Sequence, residues 1–180
     1  RKTLEMVNGT TDRLIALVQE LLLLARADGY ETLLELETFN LTEVLSVEMR
    51  RLRPKAVSKD ITLILDTPDI LLIEADRDKV QRLFLNLIDN AIKYSGPGDN
   101  VTVRAKLTPG QAYVQVADTG PGIPPEHLPH LFERFYRADA ARARVEDTNG
   151  TSSGAGLGLS IVQWLIQAHQ GQIEVESTPE

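Results

Sequence analysis

Asn86-Leu87-Ile88-Asp89-Asn90-Ala91-Ile92-Lys93-Tyr94 sets two amides and an ammonium at helical spacing. At 100° per residue, Asn90 lies about 40° and Lys93 about 20° from the direction of Asn86, so the three share one side of a helix. Val80, Leu83, Leu87, Ile88 and Ala91 point roughly 60 to 200° away and supply an apolar side for a core. A solvated stripe ordinarily carries Glu, Lys or Arg, because Asn costs roughly half a kcal/mol more in a helix interior. Two amides one turn apart leave two readings open: an exposed polar face, or amide oxygens with a ligand to hold.

Upstream of this helix, Asp76 offers an N-cap, and Gly96-Pro97-Gly98-Asp99-Asn100 stops it after about Ser95. Ile61 to Leu65 and Leu71 to Glu74 read as strands around an Asp-Thr-Pro-Asp turn. Asn40, with Glu43 three residues on, opens a helix through Val57 with a disturbance expected at Pro54, and a short strand is expected at Leu36 to Phe39. Leu4, Val7, Thr11, Leu14, Val18, Leu21 and Ala25 alternate three- and four-residue steps, which reads as a long bundle helix ending near Asp28-Gly29. Its wide apolar surface packs either on this chain's own body or on further helices, including those of a second chain.

Downstream, Val101 to Leu107 and Ala112 to Asp118 alternate with period two around Thr-Pro-Gly-Gln, a hairpin. Leu128, Leu131, Phe132 and Phe135 mark a short amphipathic piece. From Ala138 to Ala155 only Val145 is large and apolar, which predicts a lid or a mobile loop. Gly156 to His169 resumes a helix with Leu157, Ile161, Trp164, Leu165 and Ala168 inward, and Gln172 to Ser177 is expected to form a last strand.

The 180 residues carry a net charge of −7 and no cysteine. The acidic balance argues against nucleic acid as a partner, since phosphate backbones need clustered Lys and Arg. Lack of Cys removes disulfides and thiolate zinc sites. No apolar run approaches the roughly 20 residues that cross a bilayer, so no membrane contact is expected of this stretch and a cytoplasmic location is. Arg1-Lys2-Thr3 resembles neither an initiator nor a signal peptide, and the chain is expected to be part of a longer one.

Two glycine clusters flank the lid. Asp118 closes a strand ahead of Gly120 and Gly122; it is either a plain Asp-x-Gly turn or an acceptor for an exocyclic amine beside backbone that a flat ring can approach. Gly154-Ala155-Gly156-Leu157-Gly158-Leu159 lies where a loop becomes a helix, whose free amides and dipole favour phosphate. The cluster has no Lys-Ser/Thr and follows no strand directly, so P-loop and Rossmann readings fail. Amide oxygens suit a hard divalent ion that also bridges phosphates.

These segments together resemble the ATP-binding domain of sensor histidine kinases. Asn86 to Tyr94 is similar to the N box, Asp118 to Ile123 to the G1 box, Leu131-Phe132-Glu133-Arg134-Phe135-Tyr136-Arg137 to the F box, and Gly154 to Leu159 to the G2 box. Gyrase, Hsp90 and MutL-type ATPases share the general plan but usually lack the F-box segment. Residues 1–28 resemble the second helix of the dimerisation and histidine-phosphotransfer hairpin, leaving 29–180 as the catalytic domain. The resemblance implies an α+β fold of the Bergerat type, a two-layer α/β sandwich with helices on one face of a mixed sheet and ATP between the helical layer and the lid. It implies Asn90 as principal Mg²⁺ ligand with Asn86 assisting, and Lys93 and Arg137 as the catalytic cations at the phosphates. Tyr94, Leu131 and Tyr136 would surround the nucleotide and Asp118 would select adenine, with Gly120, Gly122, Ile123 and Leu157 completing the contacts. Gly154, Gly156 and Gly158 would form lid hinge and phosphate cradle.

The implied activity is transfer of the γ-phosphoryl of ATP to a His on a preceding helix and then to a response-regulator receiver domain, by a homodimer assembled through residues 1–28. His127, His130 and His169 do not fit the family's phosphoacceptor pattern, and the chain stops at Ser177-Thr178-Pro179-Glu180, before the usual Gly-rich turn and last strand. A donor site without its own acceptor is the expectation. The competing expectations are a non-catalytic signalling module that dimerises through residues 1–28, and a stand-alone ATPase gated by dimerisation.

Overall fold

The computed structural model describes residues 33–138 and 155–179. The expected long helix over residues 4–28 and the lid between Ala138 and Ala155 lie outside them. Five strands form two sheets: β1 (Leu36–Asn40) pairs antiparallel with β3 (Leu72–Asp76), and β2 (Thr62–Asp66), β4 (Asn100–Thr108) and β5 (Gln111–Asp118) form a mixed sheet in the order β2-β4-β5. Leu63 sits opposite Val101 in the parallel β2-β4 pair, and Val101 opposite Asp118 in the antiparallel β4-β5 hairpin.

Among the described residues the α-helices are α1 (Leu41–Ser58), α2 (Arg77–Tyr94) and α3 (Gly158–Ala168), with a 3-10 turn at Leu128–His130. Helix α2 is the middle of the helical layer: it packs on α1 to one side, on α3 to the other and on β4 and β5 beneath. Its buried residues Val80, Leu83, Phe84, Ile88, Ala91 and Ile92 meet Val101, Val103 and Ala105, the inward half of β4's alternation. Each fully buried Ile or Leu there contributes about 1.5 to 3 kcal/mol. Among the described residues no helix is long and apolar enough to cross a membrane.

Both expected caps form. Asn40 Oδ1 accepts from the Thr42 amide at 3.1 Å and from Leu71 N at 2.9 Å, joining the β1-α1 corner to the loop before β3. Asp76 accepts from the Lys79 amide at 3.1 Å. Helix α1 runs unbroken through Pro54, which lies on its exposed face, where water can replace the bond that proline cannot donate.

The last strand expected at Gln172 to Ser177 does not form. Residues 171–179 join no ladder among the described residues. Their alternation supplies one partly buried anchor, Ile173, but a strand also needs neighbouring N–H and C=O partners. This segment instead lies along the Gly122 turn: Ile123 N donates to Ser177 Oγ at 2.7 Å.

Candidate functional site

The amide stripe and the second glycine cluster meet. A Cβ placed on Gly158, the first residue of α3, would sit 3.8 Å from both Asn86 Oδ1 and Asn90 Nδ2. Among the described residues no side chain caps the N-terminus of α3, so its first-turn amides have no side-chain partner there. Asn86 Nδ2 is buried and has no hydrogen-bond partner among the described residues. An unpaired buried amide costs about 1 to 3 kcal/mol. A half turn about its last bond presents the oxygen instead, so the same position serves a cation or a phosphate oxygen.

Lys93 and Tyr94 end α2 with the Lys93 ammonium 4.9 Å from the centre of the Tyr94 ring, a cation–π contact at a half-exposed tyrosine. The Asp118 turn backs onto this helix end. A Cβ on Gly120 would lie 3.2 Å from the Tyr94 carbonyl oxygen, so glycine is needed for the close approach. Asp118 Oδ1 accepts from Gly120 N at 3.1 Å, which is the plain Asp-x-Gly turn; Oδ2 has no partner among the described residues. The turn and an acceptor role are therefore compatible, one oxygen each. Thr119 Oγ1 donates to Asp99 Oδ1 at 3.1 Å and accepts from Asn100 N at 2.9 Å, strapping this turn to the loop after α2.

The F-box residues reach the glycine cluster through main chain. Phe135 N donates to Gly156 O at 2.9 Å, and both residues have left-handed backbone, φ 65° and 75°. A Cβ on Gly156 would fall 2.8 Å from Phe135 C. Tyr136 Oη bonds His127 Nδ1 at 2.7 Å, and its ring stacks near His130. Arg137 Nε is a second buried polar atom with no hydrogen-bond partner among the described residues.

Several expected site residues sit differently. A Cβ on Gly122 (φ 72°) would meet the main chain of Thr178 2.5 Å away and that of Pro179 2.9 Å away, and the Ile123 amide is taken by Ser177 Oγ. Leu157 is a core side chain and leaves only its main chain for a ligand. Leu131 is partly buried, with its amide bonded to Leu128 O, and Gly154 lies outside the described residues.

None of the three histidines is free. His169 Nδ1 bonds Leu165 O at 2.7 Å and Nε2 accepts from Asp76 N at 3.1 Å, which holds the ring between the end of α3 and the start of α2. His130 Nδ1 meets Glu133 Oε1 at 2.7 Å. Asp76 is buried, which pushes its carboxyl up, but the side-chain and backbone bonds from Lys79 and the Glu35 amide more than offset this and hold it below its ordinary 3.8.

Sequence reasoning missed the polar contacts behind α2. Lys55 pairs with Asp89 at 2.5 Å, and Lys59, just past α1, bonds three carbonyl oxygens at the α2 C-terminus. Burial, then Lys55, pulls Lys59 below its ordinary 10.5; Asp89 opposes this and Lys93 adds to it. Nothing in the spacing of Lys55 or Lys59 announces these partners 33 to 36 residues away.

The described residues thus form a three-helix layer on a mixed sheet, with paired asparagines facing a glycine-rich helix start and an Asp-x-Gly turn at the end of the same helix. The chain belongs to the histidine kinase-, DNA gyrase B- and HSP90-like ATPase family, whose model matches residues 75–180. Its relatives there are sensor histidine kinases. It is 37% identical over 172 residues to the sensor protein SphS of Synechococcus elongatus, covering 95% of this chain and 42% of that protein. It is also similar to full-length ShkA in complex with AMPPNP (TM-score 0.79, 28% identity, 93% of this chain and 34% of that one). The mycobacterial sensor histidine kinase MprB gives a TM-score of 0.61 at 33% identity, over 74% of this chain and 80% of that one. The chain spans less than half the length of the curated relatives it matches.

Proposed function

We propose that this chain is the phosphoryl-donor part of a sensor histidine kinase, with residues 29–180 binding Mg-ATP and residues 1–28 belonging to the helical hairpin through which the whole protein dimerises. The observation that carries this reading is the junction of Gly158 with Asn86 and Asn90, where the start of α3 meets the amide stripe of α2. The donor set there fits Mg²⁺: neutral amide oxygens suit a hard ion that keeps part of its hydration. Bound there by Asn90 and Asn86, Mg²⁺ would offset the charge on the β- and γ-phosphate oxygens.

The remaining work falls to this chain's residues. Lys93 and Arg137 supply fixed positive charge to the phosphates, and the first-turn amides of α3 add donors. The free oxygen of Asp118 accepts from the exocyclic amine of adenine while Gly120 keeps the turn against Tyr94. Tyr94 and Tyr136 border the base and sugar, with Leu131 alongside. Gly154, Gly156 and Gly158 hinge the lid. In the transfer, the bond between the γ-phosphorus and the β,γ-bridging oxygen breaks, a phosphorus–nitrogen bond forms to an acceptor imidazole, and ADP leaves. That imidazole belongs to a helix outside this set, because the three histidines present are engaged structurally. The phosphoryl then passes to an aspartate of a response-regulator receiver domain.

The test is to supply γ-labelled ATP and Mg²⁺ to this chain with and without a separate helical hairpin carrying a His-Glu or His-Asp segment. Label on the hairpin and none on this chain is the expected result. Mg-ATP binding without transfer to any hairpin, or steady phosphate release in its absence, would contradict the proposal.

A further inference from the structure

The C-terminus of α2 is held from behind by a single side chain. Lys59 Nζ donates to the carbonyl oxygens of Ile92 at 2.8 Å, Lys93 at 2.7 Å and Ser95 at 2.9 Å. All three ammonium hydrogens are thus spent on main chain. A fourth carbonyl, that of Ala91, takes the Ser95 amide at 3.1 Å and the Ser95 hydroxyl at 2.8 Å. The carbonyl between them, Tyr94, packs against Gly120. The carbonyls that a helix end leaves open are therefore used as attachment points on two sides: Lys59 behind and the Asp118-Thr119-Gly120 turn in front.

This attachment is specific to the part of α2 that faces the site. The bond to the Lys93 carbonyl fixes the backbone from which the Lys93 ammonium projects, and the flanking bonds to Ile92 and Ser95 bracket Tyr94. Asp99 carries the constraint onward. Its Oδ2 accepts from Gly96 N at 2.7 Å and its Oδ1 accepts from Thr119 Oγ1, one residue after Asp118. Lys59, Lys93, Tyr94 and Asp118 thus belong to one bonded frame. A cation at a helix C-terminus also opposes the negative end of the dipole, which keeps Lys59 at its post when the ammonium of Lys93 leaves the Tyr94 ring for another partner. A solvated lysine could not do this; Lys59 is partly buried and flanked by the Lys55–Asp89 pair.

We propose that Lys59, whose ammonium is bonded to main chain, is a positioning residue for the ATP site: it sets the end of α2 so that the phosphate cation Lys93, the ring of Tyr94 and the base acceptor Asp118 share one geometry. The proposal rests on the nucleotide-binding reading above and adds to it a residue of α1's far end. Without the clasp, the helix end frays and the ligand must restore it on binding, which lowers affinity.

The experiment uses the whole chain with Lys59→Met, which keeps length and stem but no donor, and Lys59→Gln, which keeps a single donor group. Two quantities are read for each: the Mg-ATP dissociation constant by calorimetric titration at a temperature where the variant is folded, and residue-resolved amide exchange. The expected result for Lys59→Met is an affinity about tenfold weaker, the scale set by losing bonds from a charged donor. Amide exchange should quicken at residues 93–96 and 118–120 while Ile88, Val101 and Val103 keep their protection. Lys59→Gln should fall between Met and the unaltered chain. Affinity within twofold of the unaltered chain in both variants would overturn the proposal. So would exchange that quickens equally throughout the core, which marks a general stabiliser. If Lys59→Met does not fold, the same criteria apply to Lys59→Gln. If the unaltered chain does not bind Mg-ATP, the functional reading fails instead, and the exchange pattern alone decides whether Lys59 holds the helix end.

Discussion

Replacing Gly158 by alanine separates the ligand role of the glycine cluster from its structural role. The added methyl meets Asn86 Oδ1 and Asn90 Nδ2 at 3.8 Å, ordinary contact, and Gly158 has no left-handed backbone, so the fold can accept it. Alanine is favoured over glycine by up to about 1 kcal/mol within a helix, and by less at a first residue. Stability of Gly158→Ala should therefore stay level or rise slightly. The methyl would lie against both asparagines, where the proposed ligand must approach, and overfilling a fitted space costs about 1 to 3 kcal/mol. At 1.4 kcal/mol per factor of ten, Mg-ATP should bind about 5- to 150-fold more weakly. Gly156→Ala is the counterpart. Its φ of 75° disfavours a side chain by about 1 to 2 kcal/mol, and its Cβ would press on Phe135 C at 2.8 Å and Tyr136 O at 2.9 Å. It should lose about 2 to 5 kcal/mol of local or global stability when the overpacking cost is included. Urea denaturation and Mg-ATP titration of both variants check this. Unchanged affinity in Gly158→Ala, or a loss of stability in it as large as in Gly156→Ala, would refute the reasoning.

Asp76 predicts an acid limb. Its folded pKa lies below the unfolded 3.8, so its contribution is complete above about 3.8 and is lost as pH falls through the lower folded value. Asp76→Asn keeps an acceptor for the Lys79 amide and should flatten that limb in denaturation curves taken between pH 2 and 5; an unaltered limb would assign it to other carboxylates. Glu48 is fully buried between α1 and α2, with Oε1 accepting from Gln81 Nε2 at 2.7 Å and Oε2 without a hydrogen bond among the described residues. Arg51 lies 3.7 Å from that oxygen but on an exposed arm. Glu48→Gln keeps an acceptor for Gln81 and removes a buried charge, so stability at neutral pH should hold or rise by about 1 kcal/mol; a loss of more than about 1 kcal/mol would show that Arg51 compensates the charge.

What the sequence made legible was local. The Asn86, Asn90 and Lys93 spacing was readable because a helix fixes side-chain direction, and the β4-β5 hairpin because strand alternation does. The Asn40 and Asp76 caps were readable because each cap satisfies amides within its own first turn. Contacts between distant segments left no such periodic trace. The Lys59 clasp joins positions 33 to 36 apart, and His169 reaches Asp76 across 93. The misread segment, Gln172 to Ser177, failed for the complementary reason: alternation names the apolar side of a strand but not a neighbour to pair with. Gly122 shows a further limit, since glycine signals close approach without saying whether a ligand or, as here, the main chain of Thr178 and Pro179 makes it.

The central claim is that one end of α2, the Asp118 turn and the start of α3 form a single Mg-ATP site. Calorimetric titration of this chain with ATP, with and without Mg²⁺, tests it most directly when repeated on Asn90→Ala and Asp118→Ala. The account predicts one saturable site that needs Mg²⁺, lost in Asn90→Ala and reduced in Asp118→Ala with both variants folded. Binding that is absent from the unaltered chain, or the same in both variants, would contradict it.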